Sequence, residues 1–483
     1  MPIKFNAAEN LEPPLGIAYI GAVLQKEGDN VYLKDYEVEH FDPDHLQGFI
    51  KDHQIDLVGI SFRTASYSSA KEFSHHVKKA ESGITVVLGG QHATAFAEQT
   101  LQDIEADIVV RGEGEYTFRD LVRSIKEDRS LSGLPGITFL DSAGKIISND
   151  ESEPIKDINA LPMPLREALP LERYNIITLI TSRGCPFNCI YCDKGVSTRA
   201  VKYRSPESVL YEIKYITQKL RRNRLYIVDD YFFLHRNRLT KILDGISRSG
   251  LSVKWVCQAR VDGIDKAIIE KAKKAGCEQI MFGIESGDES ELQYIRKKTT
   301  NEQAESAVRL SRQYGITARA NFMLGFPVST KETVSNTIRF AKKIHPDIVR
   351  FFAVSPLPNT DLWYEVYGPD SDKTTIGWDK LDFFKPNFDT IGLKRKDISL
   401  YVMAAYWHVL KDDFLKEISL YLFPNLAKLF YLCVKTGKIR GNISRSFPRS
   451  VNLILDNAHQ LADMTLKNKF IFLRDAWNLQ KQI

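Results

Sequence analysis

Long apolar runs are missing from this sequence. No stretch approaches the ~18 consecutive apolar residues of a membrane-spanning helix, so no transmembrane segment is expected. The opening residues, MPIKFNAAENLEPPLG, lack a basic stretch followed by an apolar one, so no secretory signal is expected there. An excess of one charge is also missing. Lys and Arg total 66 against 61 acidic residues, and a net +5 over 483 residues gives no electrostatic footprint for nucleic acid. Cysteine is sparse: six residues are too few for a disulfide framework in a chain this long. Hydrophobic side chains (43%) and charged ones (26%) are at ordinary levels, which excludes a disordered or fibrous protein. At roughly 150 residues per domain the length predicts more than one domain, and the whole reads as a cytoplasmic enzyme with one thiolate cluster.

What the sequence does have is a repeated alternation of β-rich and helical segments. Over residues 1–145, strands are predicted at 3–5, 30–34, 57–62, 85–88 and 107–110, and LGIAYIGAVLQKEG reads as a helix ending at Gly28. Such alternation predicts an open parallel sheet with helices on both faces, binding ligands beyond the carboxyl ends of its strands. Those ends carry Pro14, Leu15 and Gly16, then Ser61, then Gly89, Gly90 and His92, then Gly112, Glu113 and Gly114. Glycine there lets a backbone approach a ligand closely, although each one alone is also an ordinary turn residue. Residues 146–174 are acidic and proline-rich and read as a linker. Strands at 176–181, 224–228, 253–257, 279–283, 319–324 and 349–354, with helices between them, predict six βα units over 175–372. That is short of a closed eight-unit barrel. The fold class is therefore α/β: a Rossmann-like N-terminal domain, a central partial (β/α)6 TIM-like barrel and a mostly helical C-terminal domain over 373–483.

The segment TSRGCPFNCIYCDKG places Cys185, Cys189 and Cys192 as C-x3-C-x2-C after the first barrel strand. Three thiolates on one tight loop can grip a metal or an iron–sulfur cluster. Haem attachment needs a His after the last cysteine, where Asp193 stands. Structural zinc wants a fourth ligand, and the nearest histidines in sequence are His92 and His235. Three ligands on a four-iron cluster leave one iron open for a substrate, unlike a four-thiolate ferredoxin site. The other cysteines, Cys257, Cys277 and Cys433, read as packing residues.

C-x3-C-x2-C with an aromatic residue, Tyr191, before the last cysteine resembles the radical S-adenosylmethionine (radical SAM) superfamily. The resemblance implies a 4Fe–4S cluster on Cys185, Cys189 and Cys192, with SAM on the open iron and Tyr191 against the adenine. It also implies Asp229 and Asp230 toward the methionine ammonium, although Asp229 alone reads equally well as a helix N-cap. Arg260 in QARVDGID falls at the next rim position, where a surface ion pair is the competing reading. Glu285 in GIESGDES matches a contact to the ribose or carboxylate region. Met323, Leu324 and Gly325 match an apolar wall and a close-approach glycine at the adenine, while such apolar residues alone are more often core. The family's P-x-P-G-T reads SPLPNT here, with Asn359 in place of glycine, and Asn also tolerates a left-handed turn.

PPLGIAYIGAVL, VVLGGQHAT and RGEGEYTFRDLV resemble the cobalamin-binding domain found upstream of one radical SAM class. That class includes carbon and phosphorus methyltransferases, hopanoid methylases, the anaerobic magnesium-protoporphyrin ester cyclase and lipid-coupling enzymes. The resemblance implies cobalamin at Pro14, Leu15, Gly16, Ser61, Gly89, Gly90, His92, Gly112, Glu113 and Gly114. The D-x-H-x-x-G of methionine-synthase-type domains is absent, since NAAENLEPPLG has no histidine, so cobalt is expected without a protein His as lower ligand. The implied reaction is methylation of an unactivated carbon, fed by an electron donor of flavodoxin or ferredoxin type. The alternatives are a radical cyclisation, oxygen insertion or carbon–carbon coupling, and a non-catalytic cobalamin or iron–sulfur sensor. Residues 398–434 are apolar at helical spacing, and Lys435, Lys438, Arg440, Arg445 and Arg449 follow without an acid among residues 435–450. This reads as a helical cap with a basic rim, or as a peripheral membrane contact suited to a lipid-like or other small apolar substrate.

Overall fold

The structure is a computed structural model and describes residues 11–193, 199–368, 377–378, 381 and 386–421. It divides into two compact units, Met1–Ile280 with Leu357–Asp379, and Met281–Pro356 with Lys380–Ile483. The predicted strand at 3–5, Cys433 and the basic residues of 435–450 lie outside the described residues.

The first unit opens with a five-stranded sheet of β1 (Leu57–Ser61), β2 (Thr85–Gly89), β3 (Ile108–Val110), β4 (Ile137–Leu140) and β5 (Ile146–Ser148), in that order. β1, β2 and β3 pair in parallel, as the alternation predicts, with Leu57 opposite Thr85 and Val87 opposite Ile108. The last two strands are antiparallel, a hairpin turned by Asp141, whose Oδ1 accepts from Ala143 N (2.9 Å) and Lys145 N (2.8 Å). That hairpin carries the sheet past residue 145 into the acidic stretch that reads as linker. Residues 30–34 form no strand; Val31 and Leu33 instead pack against Gly21 of the helix Leu15–Lys26, which satisfies their alternation without a sheet partner. The core here is Leu24, Val87, Ile108, Val110, Phe118, Leu121, Ile137 and Phe139, drawn from two helices (Leu15–Lys26 and Gly114–Lys126) and from three strands, β2, β3 and β4.

The βα series follows in the same unit. β6 (Ile177–Leu179) comes first, then a two-residue ribbon of β7 (Ser182–Arg183) and β8 (Lys202–Tyr203), then β9 (Arg224–Ile227) and β10 (Lys254–Ala259). β6 and β10 flank β9 in parallel, with Ile177 opposite Leu225 and Trp255 opposite Leu225. β7 and β8 pair antiparallel and loop out the cysteine segment between them. β11 (Cys277–Glu285) then takes the chain from the first unit into the second.

In the second unit β12 (Thr317–Leu324) and β13 (Ile348–Ala353) pair in parallel. The helices Asn301–Gln313 and Lys331–Lys343 each begin with a capping box, Thr300 with Gln303 and Thr330 with Thr333, which satisfies the first free amides of each helix. The helix Arg395–Tyr421, which takes up residues 398–421 of the apolar tail, packs on β13. There the Tyr406 hydroxyl accepts from Phe351 N (2.9 Å) and donates to Phe351 O (3.2 Å). All six predicted βα strands are thus present, at β6, β9, β10, β11, β12 and β13. Among the described residues no helix is long and apolar enough to cross a membrane.

Candidate functional site

The cysteine loop is closed at its neck and fastened at several points in the first unit. Cys185 and Cys189 are half-buried and Cys192 is exposed, with Cys192 N donating to Cys189 O (3.2 Å) in a tight turn. Tyr191 is half-buried between the last two cysteines. Asp230, exposed, takes the Gly184 amide on Oδ2 (2.8 Å), and Ile190 O accepts from Leu362 N (3.0 Å). Three thiolates on one tight turn suit a polynuclear cluster, whose thiolates each take a different iron. The donor set and the adjacent turn fit a 4Fe–4S cluster.

Arg260 is not at the surface. Its guanidinium lies 3.6 Å from the centroid of Phe187, the ring between Cys185 and Cys189, and forks onto Asp262 (Nη2–Oδ2 2.9 Å, Nε–Oδ1 3.1 Å). Tyr231 donates to the same carboxylate (3.2 Å) and sets its ring 5.8 Å from Phe187. Burial, then Asp262, push the Tyr231 phenol pKa well up, so it stays a donor. Asp229 is no helix cap, since the next helix starts at Arg236 with His235 as its N-cap. It is buried beneath the loop, accepting from Thr181 N (2.5 Å), Thr181 Oγ1 (2.5 Å) and Ser182 Oγ (2.6 Å). Burial pushes its carboxyl pKa up in spite of those donors. Of the two aspartates, Asp230 is the one exposed at the loop. Cys257 and Cys277 are fully buried, and burial raises both thiol pKa values, as packing cysteines require.

At the rim of the first sheet the predicted ligand-facing residues divide. Gly90 has φ +94°, and a Cβ there would fall 2.4 Å from Phe62 O, so the packing of β1 on β2 already demands glycine. Gly112 donates its amide to Thr94 Oγ1 (3.2 Å), and Gly114 lies against Ile20. Around Gly16 a Cβ would meet nothing within 4 Å, and Ser61 is exposed. Pro14 is the N-cap of the helix that starts at Leu15, and Gly89 ends β2. His92 is 1% exposed, boxed by Tyr67 (4.7 Å) and Trp378 (4.6 Å) with Phe62 and Phe96 behind, and Nδ1 is hydrogen-bonded to Thr64 Oγ1 (3.1 Å). Burial pulls its pKa down to about 4, so the ring is neutral. Trp378 escapes sequence reading because it stands past the last βα unit, in a stretch with no periodicity. Glu12, in the loop before that first helix, also escapes it. Its Oε2 is buried without a hydrogen-bond partner, and burial lifts its pKa to about 7.

Glu113 is wholly engaged. Its Oε1 accepts from Arg183 Nη1 (2.9 Å), and its Oε2 from Lys202 Nζ (2.6 Å) and Ile155 N (2.8 Å). Arg183 Nη2 reaches Glu115 Oε1 (2.5 Å), and its guanidinium lies 5.4 Å from the Tyr19 ring. Burial works to raise the Glu113 pKa, but Lys202 and Arg183 outweigh it and hold the carboxylate charged.

In the second unit Glu285 ends β11 with φ +73°, a left-handed conformation that a non-glycine residue holds only when its surroundings fix it. Its Oε1 accepts from buried Lys297 (2.9 Å), and a Cβ on Gly283 would fall 2.4 Å from that oxygen. Nothing in RKKTT marks Lys297 from sequence. Met323 and Leu324 are buried at the end of β12. Gly325 (φ +95°) is required by contact, since a Cβ would fall 2.9 Å from Ile398 of the long helix.

A thiolate loop inserted after the first strand of a βα series, with a separate mixed sheet whose first three strands are parallel, defines a two-part α/β protein with a candidate iron–sulfur site. Residues 4–122 match the B12 binding domain and residues 179–341 match the radical SAM superfamily. An uncharacterized methyltransferase of Pyrococcus horikoshii is 31% identical over 86% of this chain and 89% of its own. The anaerobic magnesium-protoporphyrin IX monomethyl ester cyclase of Rubrivivax gelatinosus is 27% identical over 82% of this chain and 73% of its own. The solved structure of the cobalamin-dependent S-adenosylmethionine radical enzyme OxsB has the same fold, with TM-score 0.71 and 18% identity over 98% of this chain and 77% of that one. The chain belongs to the radical SAM superfamily, in the class that carries an N-terminal B12 binding domain, and is an enzyme of that class.

Proposed function

We propose that the chain is a cobalamin-dependent radical SAM methyltransferase acting on an unactivated carbon. The observation that carries the reading is the cysteine loop itself, half-buried and held by Asp230, Asp229 and the Arg260–Phe187 stack beside a B12-type sheet. Cys185, Cys189 and Cys192 would hold three irons and leave the fourth for SAM. When bound, the cluster and cobalamin supply a reducing electron that cleaves SAM to a 5′-deoxyadenosyl radical and a carrier for the methyl group. The chain's own work is to orient and to exclude water. Tyr191, Asp230 and Arg260, with Asp229 beneath the loop, are the SAM contacts proposed in the first unit, and Glu285, Met323, Leu324 and Gly325 those proposed in the second. Pro14, Leu15, Gly16, Ser61, Gly89, Gly90, Gly112 and Gly114 supply backbone and small side chains for the corrin. With His92 enclosed and its Nδ1 hydrogen-bonded to Thr64, cobalt would be held without a protein histidine.

The substrate is proposed to be a small or lipid-like molecule, and the electron donor a flavodoxin- or ferredoxin-type protein. The enzyme would work in the cytoplasm, with the basic run after residue 434 as its contact to a membrane surface. Likeness to the Rubrivivax cyclase favours a second reading, radical carbon chemistry without methyl transfer. Anaerobically reconstituted protein given dithionite and SAM tests both. Methyl transfer yields 5′-deoxyadenosine together with S-adenosylhomocysteine, the second reading yields only the former, and Cys189→Ala abolishes both. Absence of 5′-deoxyadenosine from a fully loaded cluster would favour a sensor instead.

A further inference from the structure

Two cations face each other across the neck of the cysteine loop. Arg183 on β7 is the register partner of Lys202 on β8, and a two-residue ribbon has little else to hold it. Like charges directly opposite on paired strands repel. The opposing carboxylates come from elsewhere in the chain: Glu113 bridges both cations, and Glu115 takes the second arm of Arg183. All four side chains are at most 14% exposed, so bulk water cannot stand in for the missing partner. Glu113 and Glu115 belong to the turn and first helical residues after β3, at the rim of the B12-type sheet.

We infer that the Glu113/Glu115–Arg183/Lys202 cluster is a clasp through which occupancy at the rim of the B12-type sheet sets the pairing of β7 with β8 at the neck of the cysteine loop, with Arg183 and Lys202 as positioning residues. The inference rests on the cobalamin reading above. A ligand that fixes the rim fixes the glutamates, the glutamates hold the two cations together, and the ribbon then keeps both ends of the cysteine segment at one spacing. Linkage makes the effect reciprocal: a loaded cysteine loop tightens binding at the rim by the same factor.

The test is amide hydrogen exchange of anaerobically reconstituted full-length protein, followed in peptides covering residues 182–203 with and without hydroxocobalamin. In the natural protein, hydroxocobalamin should slow exchange there by about tenfold, within the usual span of coupling between linked sites. Arg183→Gln should still bind hydroxocobalamin, seen in its visible spectrum, but lose that response. Arg183→Gln combined with Glu115→Gln removes the buried carboxylate that the single variant leaves unpaired, and should fold as the natural protein does while remaining unresponsive. Arg183→Lys, which keeps the charge but reaches only one carboxylate, should respond partly. A neck that ignores bound hydroxocobalamin in the natural protein, or responds equally in the Arg183→Gln variants, overturns the clasp. Absence of any hydroxocobalamin spectrum overturns the cobalamin reading, and the inference with it.

Discussion

The Arg260 guanidinium rests 3.6 Å from the Phe187 ring centroid, so a side chain seventy-odd residues downstream grips the loop between its first two cysteines. A buried cation over a ring is worth ~1–2 kcal/mol. Phe187→Leu keeps the apolar bulk and removes the ring, and should cost about that much while lowering iron and sulfide per chain after reconstitution. Thermal melting and iron analysis read the two effects separately. An unchanged iron content would mean that the loop does not need the stack.

His92 makes the first unit sensitive to acid. Its folded pKa of about 4 lies below the unfolded 6.5, so the unfolded chain binds the extra proton in between. Stability from this group is complete above pH 6.5 and is lost as pH falls toward 4, by up to about 3 kcal/mol. His92→Phe should remove that rise with pH, leaving a urea midpoint that falls as pH goes from 4 to 7.

Glu12 acts in the opposite sense over nearly the same range. Its folded pKa of about 7 stands above the unfolded 4.5, so the folded chain holds the extra proton. Stability therefore falls as pH rises from 4.5 through 7, by up to about 3 kcal/mol less whatever solvent screens at this half-buried site. Glu12→Gln should raise the urea midpoint at pH 8 and leave it unchanged at pH 4.5. Because the two slopes oppose each other, the natural protein should look flatter than either single variant.

The pair of Glu285 and Lys297 should be costly to break from one side. Lys297→Met leaves a buried carboxylate at a strained backbone position, a loss of about 3–5 kcal/mol. Adding Glu285→Gln should recover a good part of it. If the single variant unfolds at the same urea concentration as the natural protein, the pair contributes nothing to the fold.

The sequence was legible where a rule is local. Six βα strands follow from periodicity, and Asn359 in place of the family's glycine does adopt φ +62°. It was illegible where elements are too short to show a period, as in β4, β5, β7 and β8. The protein partners of Glu113 and Gly90 were illegible because a rim glutamate or glycine reads the same whether it meets a cofactor, another strand or both. The partners that engage them, Arg183, Lys202 and Phe62, are brought near only by the fold. Lys297 and Trp378 carry no local mark at all, since one sits in a run of similar cations and the other in an aperiodic stretch.

The Tyr406 hydroxyl does more than anchor a helix. β13 is the last strand of its sheet, and an outer strand offers its backbone as a template for strands of other chains. By taking both the amide and the carbonyl of Phe351, Tyr406 occupies the point where such recruitment would begin. The long helix thereby guards against self-association, and in Tyr406→Phe the loss would show as concentration-dependent aggregation before any loss of fold.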